Sequence, residues 1–139
     1  MRAISPNLAR IIATRLDSVV PAPFRLNAQG GRIEIYAGEN FDSSPSLEMI
    51  VDDQSRELAE RLETAVSSVL SQVQDAISEH LHTPWPSGDG RQMALPGVRV
   101  DAELIHLWYG EERAPVLKMS AVKIADIIGG VNGQPASDS

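Results

Sequence analysis

The side chains best suited to metal or acid–base chemistry are three histidines, His80, His82 and His106, and the carboxylates of Asp75 and Glu79. On a helix Glu79 and His82 stand three apart, a spacing used in carboxylate-bridged metal sites, and Asp75 lies one turn earlier on nearly the same side. With His106 brought close by folding, Asp75, Glu79 and His82 would form a small metal-binding or hydrolase centre. Such a centre needs more ligands from a facing helix, and the N-terminal helix offers only Asp17. His80 and His82 are two apart, so on a helix they point about 200° apart and cannot share a metal. Two histidines in a last turn also suit the negative end of the helix dipole, which is the plainer account of them. His106, two residues from Trp108, reads equally well as a half-buried strand histidine.

The pair Asp52-Asp53 resembles a catalytic dyad, but capping of a helix start explains it without any shifted pKa. The chain has no cysteine, which removes thiolate catalysis, disulfides and cysteine metal sites. It has no Gly-x-Ser-x-Gly elbow and no phosphate-cradling glycine loop. The expectation is therefore no cofactor, no metal and no catalytic residue, with an enzyme as the lesser reading.

The element that would position Asp75, Glu79 and the two neighbouring histidines is a long helix. From Asp52 to His82 there is no Gly or Pro, and apolar residues recur at Leu58, Leu62, Ala65, Val66, Val69, Val73, Ile77 and Leu81. That spacing follows the helical period of 3.6, and a continuous helix over this range would be about 45 Å long. Its opposite side reads Thr64, Ser67, Ser71, Gln74 and Ser78. Those short side chains form either a solvated face or a surface on which a second copy packs, with Ser67 and Ser71 at its centre.

Around this helix the chain punctuates itself clearly. Ser5-Pro6 starts an N-terminal helix with the stripe Leu8, Ile11, Ile12, Leu16 and Val19, and Pro21 and Pro23 stop it. Phe24, Leu26 and Ala28 alternate with polar residues, Gly30-Gly31 makes a turn, and Ile33 and Ile35 alternate again, which predicts a hairpin. The stretch 37–46 reads as a loop and Leu47–Val51 as a third strand. After the long helix, Pro84-Trp85-Pro86 is a stiff segment that either presents its indole to a partner or folds back onto the core. Val98–Val100, Leu104–Tyr109 and Val116–Met119 predict further strands. Leu104–Tyr109 is apolar on both faces, as a central strand is. Ser120–Ile128 fits neither period cleanly, so helix and strand both stay open there.

These elements predict an α+β fold: an antiparallel sheet with two main helices on one side, in the order α-β-β-β-α-β-β-(β), the second helix long. Residues 1–128 would form a single domain. Residues 129–139 would be a disordered tail, since their Gly, Asn, Pro, Ser and Asp content offers nothing to bury. The order is similar to that of small dimeric secretion-chaperone-like domains, which are acidic and bind segments of client protein; the likeness is one of arrangement alone.

The net charge of −7 is unevenly spread: +3 over residues 1–35, −8 over 36–82 and −2 over the rest. An acidic chain without a Lys/Arg cluster lacks the footprint for nucleic acid, and its acidic band disfavours anionic membranes. No apolar run reaches the length of a membrane span, and Asn7, Arg10 and Arg15 interrupt any secretory core, which leads to the expectation of a cytoplasmic protein. The function expected is a non-enzymatic protein-interaction or chaperone-like adaptor domain acting as a homodimer. Its partner is another protein or itself, and its candidate contact residues are Trp85, His106, Trp108, Ser67 and Ser71.

Overall fold

The computed structural model describes residues 4–129. The protein is α+β. Helix α1 (Ile4–Asp17) leads into an antiparallel sheet of β1 (Phe24–Gln29), β2 (Arg32–Ala37) and β3 (Asn40–Ser43). A one-turn helix α2 (Glu48–Val51) and the long helix α3 (Leu58–Leu81) follow. A second antiparallel sheet contains β4 (Pro96–Val100), β5 (Leu104–Glu111), β6 (Ala114–Lys118) and β7 (Val122–Lys123), and α4 (Ile124–Gly129) closes the described chain. The predicted order of elements holds, with the strands divided between two sheets. Alternation of apolar residues tells which face of a strand is buried, not which strand lies beside it.

The first sheet packs beneath α1 because their apolar periods match. Leu8, Ile12 and Leu16 on the helix and Ile33 and Ile35 on β2 are all fully buried, while Arg25, Asn27 and Arg32 point outward. Gly30, at φ +60°, turns β1 into β2. The second sheet packs against α3, whose buried stripe includes Leu62, Val66, Val69, Val73 and Ile77. β5 is its central strand, with β4 on one edge and β6 and β7 on the other. Ile105, Leu107 and Tyr109 face α3, and the buried Tyr109 hydroxyl donates to the Leu70 carbonyl at 2.7 Å. One continuous cluster of buried side chains joins both halves.

Three local readings change. Leu47–Val51 is not a strand: Leu47 and Val51 are both about 1% exposed, whereas Met49 between them is 87% exposed. A strand would bury all three, while one helical turn buries the first and the fifth, which is what α2 does. The third strand is instead Asn40–Ser43, inside the expected loop, where a turn at Gly38 (φ +67°) brings Phe41 edge-on to Tyr36 at 5.6 Å.

The long helix begins at Leu58 rather than Asp52, which leaves about 36 Å of helix. Asp53 accepts the amide and hydroxyl of Ser55, forming a turn before the helix. The Arg61 guanidinium donates to the Val51 carbonyl at 2.6 Å and the Arg56 carbonyl at 3.0 Å, fastening α2 to the start of α3. The ambiguous stretch 120–128 resolves into β7 followed by α4, and Asn7 and Arg15 of α1 hold it by donating to the carbonyls of Ile127, Ser120 and Ala121. The expected tail over 129–139 lies outside the described residues apart from Gly129, which ends α4.

Candidate functional site

The second sheet has an outer face that no helix among the described residues covers, and β5 places His106 and Trp108 on it. Trp108 is nevertheless only 8% exposed. It lies over Gly97, its partner across the β4–β5 ladder, and a Cβ at Gly97 would overlap the indole. The indole N–H donates to the Gly110 carbonyl at 3.0 Å. A strand glycine beneath a cross-strand aromatic is a close-approach position, and here it lets the ring lie flat on the sheet.

Beside Trp108, His106 Nε2 sits 3.0 Å from Asp101 Oδ2, and Arg99 donates to Glu112 at 2.6 Å. Asp101 also accepts the amides of Glu103 and Leu104 at 2.9 and 2.8 Å, closing the β4–β5 turn. The Glu103 amide, then His106 and the Leu104 amide, hold its carboxyl well below the ordinary range, at about 2. Asp89 and Asp53 are lowered in the same way, Asp89 chiefly by the amides of Arg91 and Gln92 and Asp53 by Ser55. Each is an exposed carboxylate that organises a turn, which keeps it ionised rather than poised to exchange a proton. Burial pushes the Tyr109 hydroxyl up, with Asp75 adding to the effect.

The Pro-Trp-Pro segment is tied down to α3. The Ser78 hydroxyl takes the Trp85 amide at 2.9 Å, and buried Gln74 donates to the Ala94 carbonyl at 2.5 Å. Trp85 packs edge-on to Tyr109 with ring centres 5.6 Å apart, half-buried against the core. The loop therefore runs along the end of the second sheet, where it leaves a groove of about 490 Å3 between residues 88–95 and the β5–β6 hairpin. Met93, Leu95 and Val116 stand exposed around this groove at 37%, 70% and 43%. They are three of the five large apolar side chains exposed among the described residues. No periodic pattern marks Met93 and Leu95 in the sequence; the available signal was two large apolar residues in a loop otherwise rich in Pro, Gly and Asp.

The remaining candidates are placed apart. Ser67 and Ser71 lie half-buried on the outer side of α3, in a shallow depression of about 450 Å3 with Thr64, Ser68 and Gln72. His82 caps α3 in the left-handed conformation at φ +58°, and His80 contacts the ring of Phe24. Asp75, Glu79, His82 and His106 do not converge. Among the described residues no three His, Asp or Glu side chains gather as a metal site would require. No helix among the described residues is long and apolar enough to cross a membrane. No protein-family model matches the chain, and no curated protein or solved structure matches it either.

Proposed function

We propose that this chain is a non-enzymatic protein-interaction domain, an adaptor of chaperone-like character, that acts as a homodimer. The observation that carries this reading is the exposed apolar cluster of Met93, Leu95 and Val116 around one groove. Exposed apolar side chains gathered in one place favour a protein contact, whereas single ones scattered over a surface mean little.

A second copy suits the groove because the two segments that form it carry both signs of charge. Asp89 and Glu111 line it, and Arg91 and Arg113 each follow two residues later in the chain. Among the described residues none of the four is in an ion pair. A two-fold axis sets such a patch against itself, so that cations of one copy meet acids of the other while the apolar cluster is covered. The contact runs through side chains rather than strand pairing, since Pro115 and Lys118 on β6 are residues that blunt a sheet edge. A cytoplasmic location belongs to the same reading.

Native mass spectrometry of the untagged protein tests it. The wild type is expected as a dimer without bound metal or ligand, and Leu95→Asp combined with Val116→Lys as a monomer. Ser67→Arg with Ser71→Arg, on α3, should leave the dimer intact. A monomeric wild type would overturn the homodimer, and a dimer split only by the serine changes would move the interface to α3.

A further inference from the structure

On the far side of the first sheet, α1 and the free edge of β1 enclose a concavity of about 650 Å3. Arg10, Ala13 and Thr14 of α1 form one wall, and Leu26 and Ala28 of β1 the other. The register of the β1–β2 ladder decides what the strand offers there. The Gly38 amide donates to the Pro23 carbonyl, so residues 23, 25, 27 and 29 turn their polar backbone groups toward β2. Residues 24, 26 and 28 turn theirs toward the open edge. The Phe24 amide is taken by the Pro21 carbonyl and the Leu26 amide by Asp17 Oδ1 at 2.9 Å. The Ala28 amide and the carbonyls of Leu26 and Ala28 have no partner among the described residues.

An unpaired strand edge beside a groove is a template for another extended backbone. Unlike β6, β1 contains no proline or lysine to blunt it. From Asn7 to Asp17 the helix wall rises about 15 Å, the reach of four to five residues of a strand. The charge of the groove selects among such segments. Asp17, which lines the same groove, is already engaged by the Leu26 amide and by Arg25 at 3.3 Å, whereas Arg10 is exposed in the wall and is in no ion pair among the described residues.

We infer that this groove receives an extended, acidic segment of a partner protein, which adds to the first sheet as a fourth strand alongside β1. The inference rests on the interaction-domain reading but not on the dimer, because it uses the opposite end of the molecule's sequence and a different sheet. Three backbone hydrogen bonds, from the Ala28 amide and to the Leu26 and Ala28 carbonyls, give the segment its extended form, and Arg10 gives it its preference for an acid.

The probe is a library of random ten-residue peptides displayed on phage and selected against the full-length chain. Enrichment of acidic, proline-poor peptides is expected. Arg10→Glu should weaken the selected peptides by at least about tenfold, through charge reversal at the rim of the site. Ala28→Pro removes an amide hydrogen that does not serve the sheet, and should abolish their binding. Should that variant fail to fold, hydrogen exchange of the wild type decides: the Ala28 amide should become protected only when peptide is bound. The Leu95→Asp variant should bind the peptides as the wild type does, even where it has lost the dimer. No enrichment, or binding indifferent to Arg10→Glu and to the state of the Ala28 amide, overturns the inference. So does binding lost only with Leu95→Asp, which would place recognition in the other groove. An Ala28 amide already protected without peptide would show the edge filled by this chain or by a second copy, and overturns it as well.

Discussion

The first sheet keeps its two faces apart, with Ile33, Ile35 and Leu26 turned inward and Arg25, Asn27 and Arg32 outward. The second sheet does not: β5 buries Ile105, Leu107 and Tyr109 against α3 and still carries Trp108, 8% exposed, on the other side. Both sheets have a helix on one face, so the helix does not cause the difference. It comes from a single cross-strand pair, in which Gly97 makes room for the indole and Gly110 accepts its N–H. A sheet can therefore cover apolar surface on its wet face with one of its own side chains. What it leaves uncovered then collects at the rim, at Met93, Leu95 and Val116. The first sheet leaves one large apolar side chain exposed, Phe41 on β3 at 57%, and offers backbone at the β1 edge.

The largest expected effect tests whether the two sheets stand or fall together. Both tryptophans, Trp85 and Trp108, lie with the second sheet, so their fluorescence reports on that half. Ile33→Ala, in the other half at a fully buried position, should destabilise the protein by about 3 kcal/mol through lost burial and a residual cavity. Because one cluster of buried side chains spans both sheets, the fluorescence and far-ultraviolet dichroism midpoints should shift together in denaturant. A fluorescence transition that stays in place while dichroism loses a separate early phase would mean two independently folding units.

A smaller effect separates the roles of glycine in the two sheets. Gly97→Ala sets a Cβ into the Trp108 ring, a rigid neighbour that cannot swing away as a flexible chain end would. The expected cost is about 2 kcal/mol with a red-shifted tryptophan emission, as the indole lifts toward water. Gly30→Ala meets nothing within 4 Å, and its cost is backbone strain at φ +60°, about 1 kcal/mol, with emission unchanged. An unaltered spectrum for Gly97→Ala would show that Trp108 is not held by that pair, and the contrast between the sheets would lose its cause.

The same contrast explains what the amino-acid pattern reveals. The β1–β2 hairpin is legible because its two faces differ at every step, and β5 is legible as a central strand because both of its faces are apolar. The period of α3 is plain from Leu58 to Leu81, but its start is not, since Asp52 and Asp53 suit a turn as well as a cap. Leu47, Met49 and Val51 satisfy a strand by hydropathy and a helical turn by the outer two alone, and only packing chooses between them. β3 is polar throughout, at Asn40, Asp42 and Ser43 around Phe41, and owes its form to the edge of β2. His106 and Trp108 could be assigned to one strand face in advance, and Trp85 to a stiff loop. The groove could not, because Met93 and Leu95 meet Val116 only after a loop and a hairpin from distant parts of the chain have folded together.

The smallest effect concerns how the second sheet is turned. The β1–β2 connection needs only a left-handed glycine, whereas the β4–β5 connection hangs on the ionised Asp101 carboxylate, its two turn amides and His106. Those donors lower the Asp101 pKa to about 2, below the value of about 3.9 expected in the unfolded chain. Between those limits the unfolded chain binds more protons than the folded one, so this contribution is fully present above about pH 4 and is lost as the pH falls toward 2. Asp101→Asn should therefore lower stability at neutral pH while making its decline between pH 4 and pH 2 shallower than in the wild type. Denaturant titrations at pH 6, 4 and 2.5 measure both. Because the group is exposed, the change should be small beside that of Gly97→Ala. An equally steep acid decline in the variant would show that the turn is held by its backbone alone, as the turn of the first sheet is, and that the two hairpins do not differ on this point.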